Sequence, residues 1–173
     1  MDIQLIIGPM FSGKTSELMK FAKNAKAIDL RVLVINHTFD TRCADNLIRT
    51  HDGVEFDAKK ASHLSDVNID NYDVICIDEA QFFGDLKKFI LENEMRDVKV
   101  YISGLDGDFE RKPFGQILEI IPLCENVRKL NAMCCVSKDG TPAAFTKRIV
   151  DGQSTIQIGG AGDYISVSRK HYH

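Results

Sequence analysis

The most constraining feature of this sequence is the segment Gly8–Thr15, which reads Gly-Pro-Met-Phe-Ser-Gly-Lys-Thr and fits the pattern G-x-x-x-x-G-K-[ST]. It follows the apolar run Ile3–Ile7 and precedes a helical pattern over Ser16–Ile28. In such a loop, backbone N–H groups point at phosphate oxygens, and the N-terminus of the following helix adds positive potential. This context favours a phosphate site over a simple glycine-rich turn with an exposed lysine. The predicted phosphate-binding residues are Gly8, Pro9, Met10, Phe11, Ser12, Gly13, Lys14 and Thr15, with Thr15 also a ligand of Mg²⁺.

Short apolar runs alternate with helical patterns along most of the chain. The runs are continuous rather than alternating in polarity, which is typical of parallel strands buried on both faces. The sequence therefore predicts an α/β fold with a mostly parallel sheet behind the phosphate loop. The predicted strands are Ile3–Ile7, Val32–Asn36, Asp73–Ile77 and Val98–Ser103, and the predicted helices are Ser16–Ile28 and a short one carrying Leu86, Phe89 and Ile90.

The character of the chain changes at about Leu130. Five glycines fall within 23 residues from Gly140 to Gly162, with the β-prone runs Phe145–Val150 and Thr155–Ile158 between them. This composition predicts hairpins and loops attached to the core. We therefore divide the chain into a nucleotide-binding α/β core, residues 1–130, and a C-terminal hairpin subdomain, residues 131–173.

The composition disfavours several classes of protein. The formal net charge is −3 over 173 residues, with no long Lys/Arg run, so nucleic-acid binding is not expected. The apolar runs are far shorter than the ~20 residues of a membrane helix, and the first residues lack the pattern of a secretory signal. Five irregularly placed cysteines do not suggest a disulfide framework. We expect a soluble cytoplasmic protein with reduced thiols and no membrane partner.

An acidic motif supplies the second half of the nucleotide chemistry. The predicted strand Asp73–Ile77 is followed directly by Asp78-Glu79. Asp78 is placed to hold Mg²⁺, directly or through water, and Glu79 to accept a proton from an attacking hydroxyl. The alternative, in which Asp78 caps the next helix, is less favoured once the phosphate loop is present. The two motifs predict NTP-dependent phosphoryl transfer or hydrolysis.

Three functional classes fit these motifs: a kinase, a RecA-class ATPase acting on nucleic acid, and a regulator that binds nucleotide without catalysis. A nucleic-acid motor would need a basic channel, which is not evident. The intact catalytic motifs weigh against a silent regulator. No Asn-Lys-x-Asp motif occurs, which disfavours a GTPase.

The motifs taken together are more specific than any one of them. In chain order they are Gly8–Thr15, Phe39–Arg42, Asp78–Phe83, Gly104–Gly115, Lys129–Cys134, Ala144–Arg148 and Ile158–Tyr164. This succession resembles type II thymidine kinases over essentially the whole chain. The resemblance implies a RecA-like P-loop core that uses ATP and Mg²⁺ to phosphorylate the 5′-hydroxyl of thymidine or deoxyuridine. It also implies a homotetramer, with dTTP as feedback inhibitor.

The resemblance also assigns roles to residues. Glu79 matches the catalytic base of the family, and Lys14 and Arg42 match residues at the transferring phosphoryl group. On position alone, Asp40 and Arg42 would be a surface ion pair of little energetic weight, and the family match is what favours a role in the site. Beyond the loop, the residues matched to the ATP site are Asp40, Arg42, Asp78 and Gln81.

A further set of residues matches the nucleoside site of the family. Aromatic faces stack on a base, and apolar walls accept its 5-methyl group. Composition alone would more often place such phenylalanines in the core. The matched C-terminal loop closes over the nucleoside as a lasso, which suits its glycine density, and an ordinary hairpin is the alternative. The matching residues are Phe82, Leu105, Phe109, Phe114, Thr146, Thr155, Ile156, Gln157, Ile158, Gly159 and Tyr164.

The sequence departs from the family at a structural zinc site. Many relatives carry two Cys-x-x-Cys or Cys-x-x-His pairs there, in a zinc-ribbon-like arrangement with tetrahedral reach. The matching positions here are Cys134, Ser137, Ser168 and His171, so two of the four are serine. The adjacent Cys135 would point to the opposite face of an extended chain. We predict weak or substoichiometric zinc at the remnant Cys134 and His171; a buried thiol and a surface imidazole are the alternative.

Overall fold

The computed structural model describes residues 1–40, 47–49, 55–150 and 162–173. In chain order its elements are β1 (Asp2–Ile7), α1 (Lys14–Lys26), β2 (Val32–His37), β3 (Leu47–Arg49), β4 (Glu55–Asp57), β5 (Lys59–Ala61), β6 (Val74–Asp78), α2 (Leu86–Asn93), β7 (Lys99–Gly104), β8 (Asn126–Lys129), β9 (Ala132–Met133), β10 (Pro142–Ala143), β11 (Phe145–Arg148), β12 (Tyr164–Val167) and α3 (Arg169–Tyr172). A six-stranded sheet forms the centre, in the order β5-β2-β6-β7-β1-β8, and every pairing in it is parallel.

Apolar side chains cover both faces of this sheet. On β6, Ile75 and Ile77 belong to one apolar layer and Cys76 to the other, because successive side chains of a strand point to opposite faces. Helix α2 packs in the first layer and α1 in the second. All five residues of β6 are buried, which explains its continuous apolar sequence. The predicted α/β fold with a mostly parallel sheet is confirmed.

The first helix is shifted by two residues from its predicted bounds. It begins at Lys14, directly after Gly13, whose left-handed φ of 82° turns the chain from the loop into the helix. It ends at Lys26, and Ile28 is exposed beyond it rather than packed on the core. Among the described residues, no helix combines the length and the apolar character that crossing a bilayer requires.

Two edge strands and a small hairpin of the core have no counterpart in the sequence predictions. Strand β8 is exposed at all four residues, and β5 has only three residues, so neither carries a buried-strand pattern. The antiparallel pair β3–β4 places Ile48 in the second apolar layer, to which α1 also belongs. Edge strands are specified by their one neighbour rather than by burial on both faces, which is why hydropathy misses them.

The described part of the chain beyond residue 131 forms two antiparallel hairpins, β9–β10 and β11–β12, followed by α3. A separate small apolar cluster holds them together; its buried members are Ala132, Cys134, Ala143 and Val167. Phe11 of the phosphate loop packs against this cluster. The predicted strand at Phe145–Val150 ends at Arg148, and the predicted strand at Thr155–Ile158 lies outside the described residues. The division of the chain at residue 130 stays a prediction.

Candidate active site

The ends of four parallel strands bring the predicted residues to one edge of the sheet. The phosphate loop follows β1, Asp78 is the last residue of β6, Leu105 follows β7, and Asp40 lies three residues after β2. The carboxyl ends of parallel strands meet at the same edge, which is where α/β proteins bind their ligands. The fold therefore collects the nucleotide motifs from distant parts of the sequence.

The phosphate loop wraps around the carbonyl oxygen of Pro9. Lys14 Nζ donates to that oxygen at 2.7 Å, and Ser12 Oγ donates to it at 2.8 Å. Gly8 has a φ of 149°, and a Cβ at this position would collide with the carbonyl oxygen of Leu130. The first glycine of the motif is thus required by close packing as well as by its backbone conformation.

Asp78 is the buried acidic partner of the loop. It is 2 % exposed; Thr15 Oγ1 donates to its Oδ2 at 3.0 Å, and Ser103 Oγ donates to its Oδ1. Asp78 does not occupy a helix N-cap, because that position is Glu79 in the 3₁₀ turn Ala80–Phe82 and Asp85 in α2. The Thr15 hydroxyl and the Asp78 carboxylate lie in contact, and both offer the hard oxygen ligands that Mg²⁺ prefers. The described residues contain no group of three or more His, Cys, Asp or Glu that could hold a metal, but Mg²⁺ in NTP sites is held by few side chains together with phosphate and water.

Glu79 lies beside Asp78 in an uncommon backbone conformation. Its φ and ψ are 52° and 39°, the left-handed region, and it begins the 3₁₀ turn Ala80–Phe82. Gln81 Nε2 donates to Glu79 Oε2 at 2.6 Å. Gln81 therefore contacts the predicted base, whereas the sequence placed it only among the ATP-binding residues.

Asp40 is held by two side chains that sequence reasoning missed. Asn36 Nδ2 donates to Asp40 Oδ2 at 2.8 Å, and Lys60 Nζ donates to the Asp40 carbonyl oxygen at 2.6 Å. Asn36 is fully buried one residue before the end of β2. A polar residue at the end of the otherwise apolar predicted strand Val32–Asn36 is the signal that could have identified it. Arg42, the predicted partner of Asp40, lies outside the described residues.

An aromatic cluster forms the apolar part of the site. Phe82 and Phe114 meet edge to face with ring centroids 5.6 Å apart, and Phe39 meets the Phe82 ring at 5.8 Å. His37 lies 5.7 Å from Phe82, and its burial lowers its pKa, which favours a neutral ring in this apolar setting. Leu105 N–H donates to Gln81 Oε1 at 3.0 Å, so Leu105 is tied to the 3₁₀ turn that carries Phe82. The assignment of Phe82, Phe114 and Leu105 to a nucleoside site stays a prediction.

Two other predicted nucleoside residues, Phe109 and Tyr164, lie beside Arg148. Its guanidinium carbon is 4.4 Å from the centroid of Phe109 and 5.7 Å from that of Tyr164. Strand pairing sets this arrangement, because Arg148 lies opposite Tyr164 across the β11–β12 hairpin. Arg148 belongs to a motif of the family pattern, but no role followed from its position in the sequence.

Thr146 on β11 connects the C-terminal strands to the phosphate loop. Its Oγ1 accepts a hydrogen bond from the Met10 N–H at 3.0 Å, and its side chain is buried. The predicted nucleoside and phosphate residues therefore share a contact between residues 136 positions apart. The predicted loop residues Thr155, Ile156, Gln157, Ile158 and Gly159 lie outside the described residues.

The residues at the four zinc positions come together without forming a zinc site. Cys134 Sγ lies 3.6 Å from His171 Nδ1 and 3.7 Å from Ser168 Oγ. Hydrogen bonds from the backbone N–H groups, first of Ser137 and then of Ser168 at 3.3 Å, lower the pKa of Cys134 to about 5 despite its burial. Cys135 Sγ instead lies 3.4 Å from Ser166 Oγ. Because serine hydroxyls are poor Zn²⁺ ligands, these residues do not fit a four-ligand zinc site.

Comparison with known proteins supports the same family as the motifs. The family described as thymidine kinase matches residues 1–172. The chain is 42% identical to thymidine kinase 1 of Dictyostelium discoideum, over 99% of this chain and 77% of that protein. It is 42% identical to the thymidine kinase of Myxoma virus (strain Uriarra), over 99% and 96% of the two chains. It is 40% identical to the cytosolic thymidine kinase of Gallus gallus, over 99% and 76%. The chain therefore belongs to the thymidine kinase family.

Proposed function

We propose that the protein transfers the γ-phosphoryl group of ATP to the 5′-hydroxyl of thymidine or deoxyuridine, as a nucleotide-salvage kinase. One observation carries this proposal. At one edge of the sheet, the phosphate loop contacts Asp78 through Thr15, the neighbouring Glu79 begins the turn that carries Phe82, and Phe82 meets the Phe114 ring. This arrangement supports a phosphate site, a carboxylate base and an aromatic pocket in the order that nucleoside phosphorylation requires. The relatives are named thymidine kinases, which supports thymidine as the nucleoside.

The residues divide the work of the reaction. Lys14 contacts the β/γ-phosphates, and Arg42 neutralises charge on the transferring group. Thr15 and Asp78 would hold Mg²⁺, which supplies positive charge against the phosphates when bound. Glu79 accepts the proton of the 5′-hydroxyl as that oxygen attacks phosphorus.

The apolar residues select and orient the base. The Phe82–Phe114 pair and Leu105 provide faces for stacking on one pyrimidine ring. Thr146, which bonds the phosphate loop through Met10 N–H, fixes the distance between nucleoside and phosphates. Tyr164 and the loop Thr155–Gly159 complete the proposed pocket.

The decisive test is ADP release that depends on thymidine, measured with Glu79→Gln. We expect kcat to fall by about 10²–10⁴-fold, because an amide cannot accept the 5′-hydroxyl proton. Binding of ATP and thymidine should be retained. Glu92→Gln is the matched control, since Glu92 is exposed on α2 and pairs with Lys88. Turnover of Glu79→Gln within twofold of the parent protein would contradict the assignment of the base.

The aromatic pocket predicts the nucleoside range of the enzyme. Thymidine and deoxyuridine should both be phosphorylated, because losing one methyl group from an apolar pocket costs only about 1–3 kcal/mol. Purine deoxynucleosides should be rejected, since the matched aromatic residues suggest a pocket for one pyrimidine ring. Steady-state kinetics with thymidine, deoxyuridine and the two purine deoxynucleosides measure these preferences. Purine rates comparable to that of thymidine would favour a broad-specificity kinase instead.

Three further features belong to the proposal. We place the protein in the cytoplasm, which the named cytosolic relative from Gallus gallus supports. We also expect dTTP to inhibit, since it offers both a thymine base and a triphosphate to adjacent sites. The assembly is proposed to be a homotetramer, and light scattering of the purified enzyme tests it.

A further inference from the structure

Gln81 joins the proposed base to the wall of the nucleoside pocket. Its side-chain amide bonds Glu79 on one side and the backbone of Leu105 on the other. We propose that Gln81 is a positioning residue that holds the Glu79 carboxylate in place against the nucleoside, rather than a ligand of ATP. This inference rests on the proposed role of Glu79 as the base.

The orientation of the Gln81 amide follows from its partners. A backbone N–H can only donate, so the Leu105 N–H requires the amide oxygen, Oε1, which lies 3.0 Å away. The amide nitrogen is thereby directed at Glu79 Oε2, 2.6 Å away. Gln81 is 4 % exposed, so little water competes for either bond. The pocket wall thus decides which end of Gln81 meets the base.

Two glycines leave room for Gln81 in this arrangement. A Cβ at Gly104 would lie 2.6 Å from Ile117 Cδ1 and 3.0 Å from Gln81 Oε1. A Cβ at Gly115 would collide with the Gln81 carbonyl oxygen. Gly104 and Gly115 therefore enclose the amide and the backbone of Gln81, and neither position has room for a side chain. Such close packing restricts the rotamers of Gln81. A residue that only filled space would not need its side chain held in one rotamer.

The backbone of the 3₁₀ turn Ala80–Phe82 reinforces the same alignment. Glu79 adopts the left-handed conformation at the start of this turn, and Phe82 N–H donates to the Glu79 carbonyl oxygen at 3.1 Å. The base, its positioning residue and the aromatic wall are therefore carried on four consecutive residues. The Gln81 bond thus holds one oxygen of the Glu79 carboxylate in a fixed position relative to this turn.

A double-mutant cycle with Glu79→Gln and Gln81→Met tests the inference. Methionine keeps the length of the side chain but has no amide. We expect Gln81→Met alone to lower kcat about 10- to 100-fold, as misplacement of a reacting group does, with both KM values within threefold of the parent. In the Glu79→Gln background, Gln81→Met should change kcat less than twofold, because Gln81 acts through Glu79. Gln116→Met is the matched control, since Gln116 also accepts a backbone N–H, that of Lys87 at 2.8 Å, but contacts α2 instead of the base.

Gln81→Glu gives a second readout that does not depend on how methionine packs. Glutamate can still accept the Leu105 N–H but cannot donate to Glu79, and it places two carboxylates side by side. We expect kcat to fall at least as far as in Gln81→Met, with both KM values again within threefold of the parent, because two facing carboxylates repel and displace the base. A kcat within twofold of the parent would contradict a direct bond between the two residues during catalysis.

The remaining outcomes separate the possible failures. Additive losses in the cycle, or a raised KM for ATP with unchanged kcat, would overturn the inference and support the ATP-binding role matched from the family. Full activity of Glu79→Gln would instead overturn the proposed base. Loss of Glu79→Gln activity with full activity of Gln81→Met would leave the base intact and reject the positioning role alone.

Discussion

At the scale of single residues, Gly115 illustrates how the absence of a side chain shapes this site. Its φ is 56°, in the left-handed region, and an added Cβ would collide with the carbonyl oxygen of Gln81. Gly140 has a comparable φ of 84°, with nothing within 4 Å of an added Cβ. The two glycines thus share the backbone strain that a side chain would introduce, but only Gly115 adds a collision. Their comparison separates conformational strain from packing.

We predict that Gly115→Ala is more destabilising than Gly140→Ala. Gly140→Ala should cost about 1–2 kcal/mol of unfolding free energy, the penalty of a side chain in the left-handed region. Gly115→Ala should cost about 3 kcal/mol or more and should lower kcat as well, because Gln81 must move. Urea unfolding and thymidine-dependent kinetics measure the two effects. Equal losses of stability would mean that the backbone at Gln81 can shift freely.

The sequence predicts single site residues only where chemistry demands a residue type. Thr15, Asp78 and Glu79 follow from motifs, because phosphate transfer needs a hydroxyl, a metal-binding carboxylate and a base at those places. Asn36 and Arg148 were not among the predicted residues, since a buried amide and a strand arginine serve many purposes. The contact of Asn36 with Asp40 and that of Arg148 with Phe109 arise only in the folded chain.

At the scale of elements, the C-terminal strands bring together residues at the zinc positions of the family, although two of these four positions carry serine. Cys134 on the loop after β9 meets Ser168 and His171 at the start of α3. The low pKa of Cys134 comes from backbone N–H donors, so a thiolate is stabilised here by hydrogen bonds. The buried side chains of Val167 and Ala143 pack in the same apolar cluster as Cys134.

We predict that Ser137→Cys combined with Ser168→Cys creates a tight zinc site in this chain. The double variant would present three thiolates and His171, which is a full tetrahedral set. We expect one zinc per chain by elemental analysis, and a melting temperature that rises with zinc and falls with chelator. The parent protein should contain little zinc and should melt at the same temperature with or without chelator. One tightly held zinc per parent chain would show that another residue completes the site.

The sequence predicts the buried strands of the sheet but not the exposed ones. Strands β1, β2, β6 and β7 are buried on both faces and follow from continuous apolar sequence. Strand β8 is exposed along its length, and its place beside β1 follows from parallel pairing of Gln4–Ile7 with Asn126–Lys129. Such pairing depends on backbone hydrogen bonds between distant segments, which hydropathy does not encode.

At the scale of the whole molecule, the two edges of the parallel sheet carry different tasks. The carboxyl edge holds the proposed active site, and the amino edge holds a clamp between Arg31 and Asp73. Arg31 N–H donates to Asp73 Oδ2 at 2.8 Å, and Arg31 Nη2 pairs with Oδ1 at 2.7 Å. Backbone bonds from Asp73 N–H to the Arg31 carbonyl and from Lys99 N–H to the Asp73 carbonyl join the starts of β2, β6 and β7. Stability and catalysis should therefore respond separately to changes at the two edges.

We predict that Asp73→Asn lowers stability at neutral pH but leaves kcat and KM unchanged. The side-chain and backbone hydrogen bonds from Arg31 lower the pKa of Asp73 from 3.8 to about 2. A carboxylate whose pKa is lower in the folded state stabilises the fold above its unfolded pKa, and this contribution disappears as pH falls through the folded pKa. The difference in melting temperature between the parent and Asp73→Asn should thus be constant from pH 7 to 5 and shrink between pH 4 and 2. Asp97→Asn, which removes an exposed carboxylate two residues before β7, is the control. A difference that persists unchanged at pH 2 would show that the amide disrupts packing rather than the ion pair, and a fall in kcat would show that the two edges are coupled through the sheet.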